Sequence, residues 1–241
     1  MIDNLMTIII RRIRPNYSPD PNVSTSVLIG WYARKGFFPL VRGVLFRGRF
    51  ATAGFPVFLG RRVTISYASS IRMGSSVFIG ANTNINAFSK DGISIGSGCT
   101  IRENTWIQCS SSPANPGAGL EIGENTYIGP GAVLGVGGPV AIGADCQIGA
   151  GFTVIAENHQ MGPEGVSHSE VMRKGVTVGN GSWIGHRVTI VDGVTLGAGC
   201  VVGAGSVVTK SFPANSTIVG VPGKALSGST QRPVQAQPAD G

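Results

Sequence analysis

An all-β fold, a parallel β-helix wound from six-residue repeats, is what this 241-residue sequence predicts. Three observations carry that expectation. Aliphatic residues followed by glycine recur every six positions in blocks. Glycine is abundant, at 37 residues, yet follows no Gly-X-Y period, which excludes collagen. Only 13% of the residues are charged against 42% hydrophobic, so the chain can bury a core of substantial size.

The aliphatic–glycine pair stands at Leu59-Gly60, Ile79-Gly80, Ile95-Gly96, Ile122-Gly123, Ile128-Gly129, Leu134-Gly135, Ile142-Gly143, Ile148-Gly149, Val178-Gly179, Ile184-Gly185, Leu196-Gly197 and Val202-Gly203. From Val178 the period runs unbroken: VGNGSW, IGHRVT, IVDGVT, LGAGCV, VGAGSV, VTKSFP. The fifth slot of these hexads holds Ser182, Val188, Val194, Cys200, Ser206 and Phe212. A helix would space its apolar residues three and four apart and would carry few glycines. Six residues instead fit one short strand and one turn, with the aliphatic and fifth-slot residues inward and the second-slot glycine easing the bend. Three hexads close a triangular coil, and coils stack about 4.8 Å apart as parallel strands. Each coil buries its apolar side only against its neighbours, so several are required. Roughly seven coils fit between residues 57 and 213. A β-sandwich with glycine-rich turns leaves the strict period unexplained.

The period breaks twice. Residues 110–119 (SSSPANPGAG) read as a turn-rich insertion at a corner. Residues 158–175 (NHQMGPEGVSHSEVMRKG) read as a longer excursion without strong secondary-structure signal, leaving after Val154 and returning at Val176. Long excursions from compact scaffolds are more often functional than not.

The flanks differ in character. Residues 1–56 lack the period and are expected to form a partly helical cap over the first coil, with a short helix at 5–13 and a basic amphipathic helix at 32–50 broken near Pro39. Residues 1–62 hold ten Lys/Arg and two Asp/Glu, whereas 63–241 hold nine and ten. This local charge suggests contact with an anionic surface, either a membrane leaflet or a lipid-linked diphosphate glycan. No nucleic-acid partner is expected. Residues 227–241, polar and proline-rich, read as a disordered tail. No signal peptide is expected, because an acidic residue lies within the first ten positions and Arg11, Arg12 and Arg14 follow the apolar part. Apolar runs fall short of the ~20 residues of a membrane-spanning helix.

Cys99, Cys109, Cys146 and Cys200 form no CxxC pair, and three of them occupy the fifth slot, so they read as small core residues. Reduced thiols fit a cytosolic protein. The three histidines are His159, His168 and His186. His159 opens the long excursion directly after a coil, and a neutral imidazole there is suited to deprotonating a hydroxyl near pH 7. A single surface histidine commonly has no such role.

The segment 176–226 contains GNGSWIG, VTLGAGCVVGAGSVVTK and VGVPGK, and in these elements resembles the C-terminal signature of bacterial hexapeptide-repeat O-acetyltransferases. That family includes galactoside, maltose and serine acetyltransferases and those of exopolysaccharide or O-antigen biosynthesis. The likeness extends over most of 57–226 and, through RPNYSPDPNVS and VRGVLFRG, leans towards the polysaccharide branch. It implies a left-handed coil, acetyl-CoA as co-substrate with no metal, a saccharide or nucleotide-sugar acceptor, and a cytoplasmic homotrimer with active sites between subunits. By the same resemblance His159 is the general base, and the backbone N–H of His186 is the oxyanion donor. Trp183, Ala204, Thr209 and Lys210 would line the groove for the pantetheine arm, and Lys224 would meet the nucleotide phosphates. Lys174-Gly175 precedes the return to the coil as in the polysaccharide branch, and Glu157 is a candidate to orient His159. Where galactoside- and maltose-type members carry an acceptor-binding asparagine, this chain has Gly129 and Pro130, so its acceptor site is expected to be built differently.

Three other readings stand beside this one. The γ-type carbonic anhydrases share the fold and bind zinc through three histidines, but here the histidine spacings are nine and eighteen and that ligand pattern is missing. A non-catalytic β-helix binding protein would bind no acetyl-CoA. An N-acetyltransferase acting on an amino sugar nucleotide would use a free amine as acceptor.

Overall fold

The computed structural model describes residues 20, 22–110, 112–162 and 165–226, with backbone alone at 25, 160–162 and 166–170. The helix expected at 5–13 and the tail at 227–241 lie outside the described residues.

Up to residue 155 each coil strand pairs with the third strand after it, and past the hairpin the same three faces continue, which makes a three-faced prism. The first face runs Thr52–Ala53, Ile71–Met73, Ser89–Ile95, Gly117–Ile122, Val140–Ile142, Val176–Val178 and Thr195–Leu196. The second begins at Val57–Leu59 and passes through Thr100–Ile101, Gln147–Ile148, Trp183–Ile184 and Val201–Val202 to Thr217–Val219. Lys224–Ala225 closes it antiparallel to Thr217–Val219. The third runs from Thr64–Ser66 through Val133–Gly135, Thr153–Ile155 and Thr189–Val191 to Val207–Val208. All coil-to-coil pairings are parallel, and the coil is the left-handed β-helix expected from the sequence.

The hexad explains the register. On the second face Leu59, Ile79, Ile101, Ile128, Ile148, Ile184, Val202 and Ile218 stand directly beside one another in adjacent strands. All of them are buried. Each such side chain contributes roughly 1.5–3 kcal/mol through removal from water. The fifth-slot residues Ser182, Val188, Val194, Cys200, Ser206 and Phe212 are buried as well. Their hydroxyls are satisfied by turn carbonyls: Ser182 Oγ donates to Gly179 O at 2.7 Å, and Thr126 Oγ1 to Gly143 O at 2.7 Å.

The second-slot glycine has a different cause from the one its position at a bend suggests. The left-handed backbone conformation falls on the fourth slot, at Arg62, Asn82, Asn125, Asp145, Arg187 and Gly199, with φ between 55° and 67°. The second slot is held small by stacking. A Cβ on Gly179 would lie 2.4 Å from Ala198 N, and one on Gly60 would lie 2.4 Å from Ala81 N, both backbone atoms of the next coil.

The cap is one helical segment. Helix α1 (Thr25–Tyr32) passes through a π-helical turn at Ala33–Phe37 into helix α2 (Phe38–Phe46) and a 3₁₀ turn at Arg47–Arg49. Pro39 does not break it. Proline lacks the N–H and its ring crowds the carbonyl four residues back, and the wider turn before it absorbs that misfit. Phe50 is buried against the first coil and belongs to the core.

Candidate active site

The break after the third-face strand Thr153–Ile155 is an antiparallel hairpin, Asn158–Gly162 against Gly165–Met172. The excursion that looks irregular in sequence is therefore ordered by its own ladder. Asn158 pairs with Met172 and His159 with Val171, and the register shifts between His159 and Met161. Such bulges re-aim side chains. His159 is exposed, one ladder position above the Asn158–Met172 pair at the base of the hairpin.

The neck is tied at several points. Arg173 Nη2 lies 3.1 Å from Glu157 Oε2, and Arg173 Nη1 donates to Pro116 O at 3.1 Å. The backbone N–H groups of Lys174 and Gly175 donate to the Asp192 carboxylate at 3.1 and 2.7 Å. Gly175 takes φ +92°, and a Cβ there would lie 2.4 Å from Pro139 O. Gly137 is small for a related reason, since a Cβ would meet Glu157 Oε2 at 2.1 Å. Glu157 is thus engaged by Arg173. Beside the neck, a groove of about 330 Å³ on the first face is lined by Arg72, Asp91, Glu121, Lys174, Thr177 and Thr195.

His186 sits at the corner between the second and third faces. The N–H groups on either side of it are used: Gly185 donates to Val202 O at 2.8 Å and Arg187 to Ala150 O at 2.8 Å. Among the described residues no acceptor takes the N–H of His186. Ala204 occupies the same corner one coil on, where Gly205 N donates to His186 O at 2.8 Å. Trp183, 48% exposed, precedes this corner on the second face. Lys224, opposite Val219, lies exposed on the same face towards the far end. The structure thus groups Trp183, His186 and Ala204, with Lys224 on the face they adjoin.

Thr209 and Lys210 fall elsewhere. They follow Val207–Val208 at the third-to-first corner, the edge from which the hairpin springs, and the Lys210 ammonium lies 5.6 Å from the centre of the Phe212 ring. His159 and His186 stand at opposite edges of the third face. One side of the prism is six residues, or roughly 15–20 Å. A base acts within hydrogen-bond reach of its proton, and an oxyanion donor sits about 3 Å from the same carbonyl. A full side of the prism therefore separates the two histidines of one chain.

All four cysteines are buried, and burial pushes each thiol up, Cys109 to about 11. Among the described residues no three His, Cys, Asp or Glu side chains gather as a metal site.

Comparison with known proteins agrees with the repeat. The bacterial transferase hexapeptide (six repeats) family matches residues 175–210, and the hexapeptide repeat of succinyl-transferase matches 70–109 and 119–156. Over these stretches the chain carries hexapeptide repeats of the kind that bacterial transferases contain. A search of curated proteins finds no match. Among solved structures, a mutant of AntD, an N-acyltransferase from Bacillus cereus in complex with dTDP and coenzyme A, superimposes with a TM-score of 0.53 at 20% identity, over 76% of this chain and 86% of that one. The hexapeptide-repeat acetyltransferase VCA0836 from Vibrio cholerae gives 0.44 at 20% identity, over 81% and 84%. A maltose O-acetyltransferase from Clostridium difficile gives 0.44 at 19%, over 77% and 73%. The AntD superposition establishes a shared coil architecture and nothing finer.

Arg173, Asp192 and Gly137, which build the neck, do not stand out as a group in the sequence. Asp192 had a signal: it is the single acidic residue between 176 and 213. Gly137 had none, because its role depends on a carboxylate twenty residues away.

Proposed function

We propose that this chain is an acetyl-CoA-dependent O-acetyltransferase acting on a sugar hydroxyl in cell-surface polysaccharide biosynthesis. The observation that carries the reading is the tied hairpin, which presents His159 from an otherwise regular prism. His159 takes the proton of the acceptor hydroxyl as its oxygen attacks the thioester carbonyl of acetyl-CoA. The His186 N–H receives the developing oxyanion. Collapse of the tetrahedral intermediate expels the CoA thiolate, which takes the proton from the imidazolium. Trp183 and Ala204, with Lys224 towards the nucleotide end, serve the coenzyme. Thr209 and Lys210, on the hairpin edge, serve it from the other wall.

The separation of His159 from His186 within one chain supports an assembly of copies, read here as a homotrimer, in which the hairpin of one subunit meets the second-to-third corner of the next. The groove beside the neck, with carboxylates and cations at its rim, suits a saccharide or nucleotide-sugar acceptor. The enzyme is read as cytoplasmic, in peripheral contact with the inner membrane face.

An amine acceptor is the rival within the same chemistry, as in AntD, named an N-acyltransferase. Incubating the protein with acetyl-CoA and a panel of nucleotide sugars and oligosaccharide fragments separates the two. An alkali-labile acetyl ester on the product supports O-transfer, an alkali-stable amide formed with amino sugars alone overturns it, and no transfer to any acceptor removes the enzyme reading.

A further inference from the structure

The capping helix sets Tyr32, Pro39 and Gly43 inward and turns most of its other large residues outward. Tyr32, Pro39 and Gly43 are its buried positions, and a Cβ on Gly43 would lie 1.8 Å from Val57 O. Arg42 Nη1 donates to Leu59 O at 2.9 Å on the same side. Trp31, Phe37, Phe38, Val41, Val44 and Leu45 are exposed, Leu45 to 79% and Phe37 to 62%. Positions 38, 41 and 45 share one stripe of helix α2, and Arg34 is exposed on the π-helical turn just before them. A helix that only packs on its own domain shows the reverse arrangement. A contiguous apolar face of this kind marks a contact surface.

Charge identifies what the surface meets. Arg34, Arg47 and Arg49 are exposed along this segment, and Arg61 and Arg62 are exposed on the first coil beneath it. Arg49 lies with its guanidinium 4.7 Å from the centre of the Phe46 ring. From residue 21 to residue 90 the chain has nine Lys/Arg and no Asp or Glu. Aromatic and aliphatic residues rimmed by cations, with the one carboxylate that reaches the segment, Glu103, taken up by Lys35 and Arg102, complement an apolar layer beneath negative headgroups. No helix among the described residues is long and apolar enough to cross a membrane, so the contact is interfacial.

We propose that the outward face of the helical segment 25–46 docks on an anionic lipid bilayer. Trp31, Phe37, Phe38, Val41 and Leu45 enter the headgroup–acyl boundary, and Arg34, Arg47 and Arg49 meet lipid phosphates. The surface lies on the first coil, some four coils from the hairpin, or about 20 Å at the coil spacing. Docking thus leaves the hairpin and the His186 corner uncovered. The proposal deepens the peripheral-membrane part of the functional reading and does not depend on the acetyl transfer.

Co-sedimentation of the full chain with phosphatidylcholine vesicles, with and without phosphatidylglycerol, tests it. Binding is expected only where phosphatidylglycerol is present, and weaker at high salt. Phe37→Ser with Leu45→Ser, and separately Arg34→Glu with Arg47→Glu, should each weaken binding about tenfold or more. Their thermal melting and acetyl-CoA binding should stay as in the parent. Absence of binding by the parent protein overturns the proposal, as does equal binding to uncharged vesicles. So does a serine variant that changes the assembly mass in sedimentation velocity while vesicle binding persists, because the face would then join copies of the chain.

Discussion

Arg173 reaches back across the neck of the hairpin to Glu157, with Nη2 at 3.1 Å and Nε at 3.2 Å from the same carboxylate oxygen. A partly exposed pair of this kind contributes little to global stability, ~1 kcal/mol or less. Its effect is local, because it closes the neck two positions below His159, beneath the Asn158–Met172 pair. Arg173→Ala is therefore expected to lower kcat about tenfold while the melting temperature moves by no more than a few degrees and acetyl-CoA affinity is unchanged. Arg173→Lys should restore only part of kcat, since an ammonium does not reproduce the fork that meets both Glu157 and Pro116 O. Steady-state kinetics beside calorimetric titration of acetyl-CoA checks this, and an unchanged kcat would free the neck from any positioning role.

His159→Ala should reduce turnover by roughly 10²–10⁴-fold, the usual contribution of a positioned general base. Coenzyme binding should persist, because the Trp183–His186–Ala204 corner is built by other coils. Loss of acetyl-CoA binding together with turnover would instead assign the histidine to the coenzyme.

Most of the prism is readable from the chain because a period of six states the strand length, the turn and the inward side at once. The column from Leu59 to Ile218 follows directly from that period. The neck is less readable. Arg173 and Glu157 sit sixteen residues apart and meet only because the hairpin returns to its starting point, and Asp192 reaches Gly175 from the next coil. The helical cap was half visible: its basic residues stand out in sequence, but which side of the helix stays exposed depends on how closely Gly43 approaches Val57. The reason for the second-slot glycine likewise lies in the stacking of coils, a contact that no single hexad displays.

Glu103 couples stability to pH. Burial pushes its carboxyl up, but hydrogen bonds from Arg102 and from Lys35 of the cap outweigh this and hold it at about 2, below an ordinary value of 4.5. A carboxylate whose folded value is depressed adds stability that is present in full above its unfolded value and is lost as pH falls towards the folded one. The parent protein should therefore lose melting temperature between about pH 4.5 and 2 in a way that Glu103→Gln does not. The variant should melt lower near pH 7, with the gap closing on acidification. A constant gap across a series of thermal melts would detach Glu103 from acid stability.

The corner at His186 offers a test of the stacking argument. A Cβ on Gly185 would lie 2.6 Å from Ala204 N, a backbone atom that cannot swing aside. Gly185→Ala should then cost about 1–3 kcal/mol. Two residues on, Arg187 holds φ +55°. Arg187→Gly relieves the left-handed strain of ~1–2 kcal/mol but adds unfolded-state entropy worth ~0.4–1 kcal/mol. Stability should rise slightly or stay level. Denaturant melts of both variants decide it, and an Arg187→Gly loss as large as that of Gly185→Ala would mean the corner is not governed by backbone geometry.

Mixed assemblies test whether the site is shared. His159→Ala removes the base but leaves the coenzyme corner intact, whereas Ala204→Trp fills that corner and leaves the base. Each variant alone should be inactive. If a site takes its hairpin from one subunit and its corner from the next, random co-assembly of the two in equal amounts gives about one quarter of the interfaces both functional halves. Activity should therefore recover to about a quarter of the parent's when the two are denatured and refolded together, and not when they are merely mixed after folding. If instead both halves came from one chain, no assembly of the two variants would contain a working site, and co-refolding would restore nothing. That result would also require His159 to cross a full side of the prism to reach the His186 corner, which the neck formed by Glu157, Arg173 and Asp192 holds it away from.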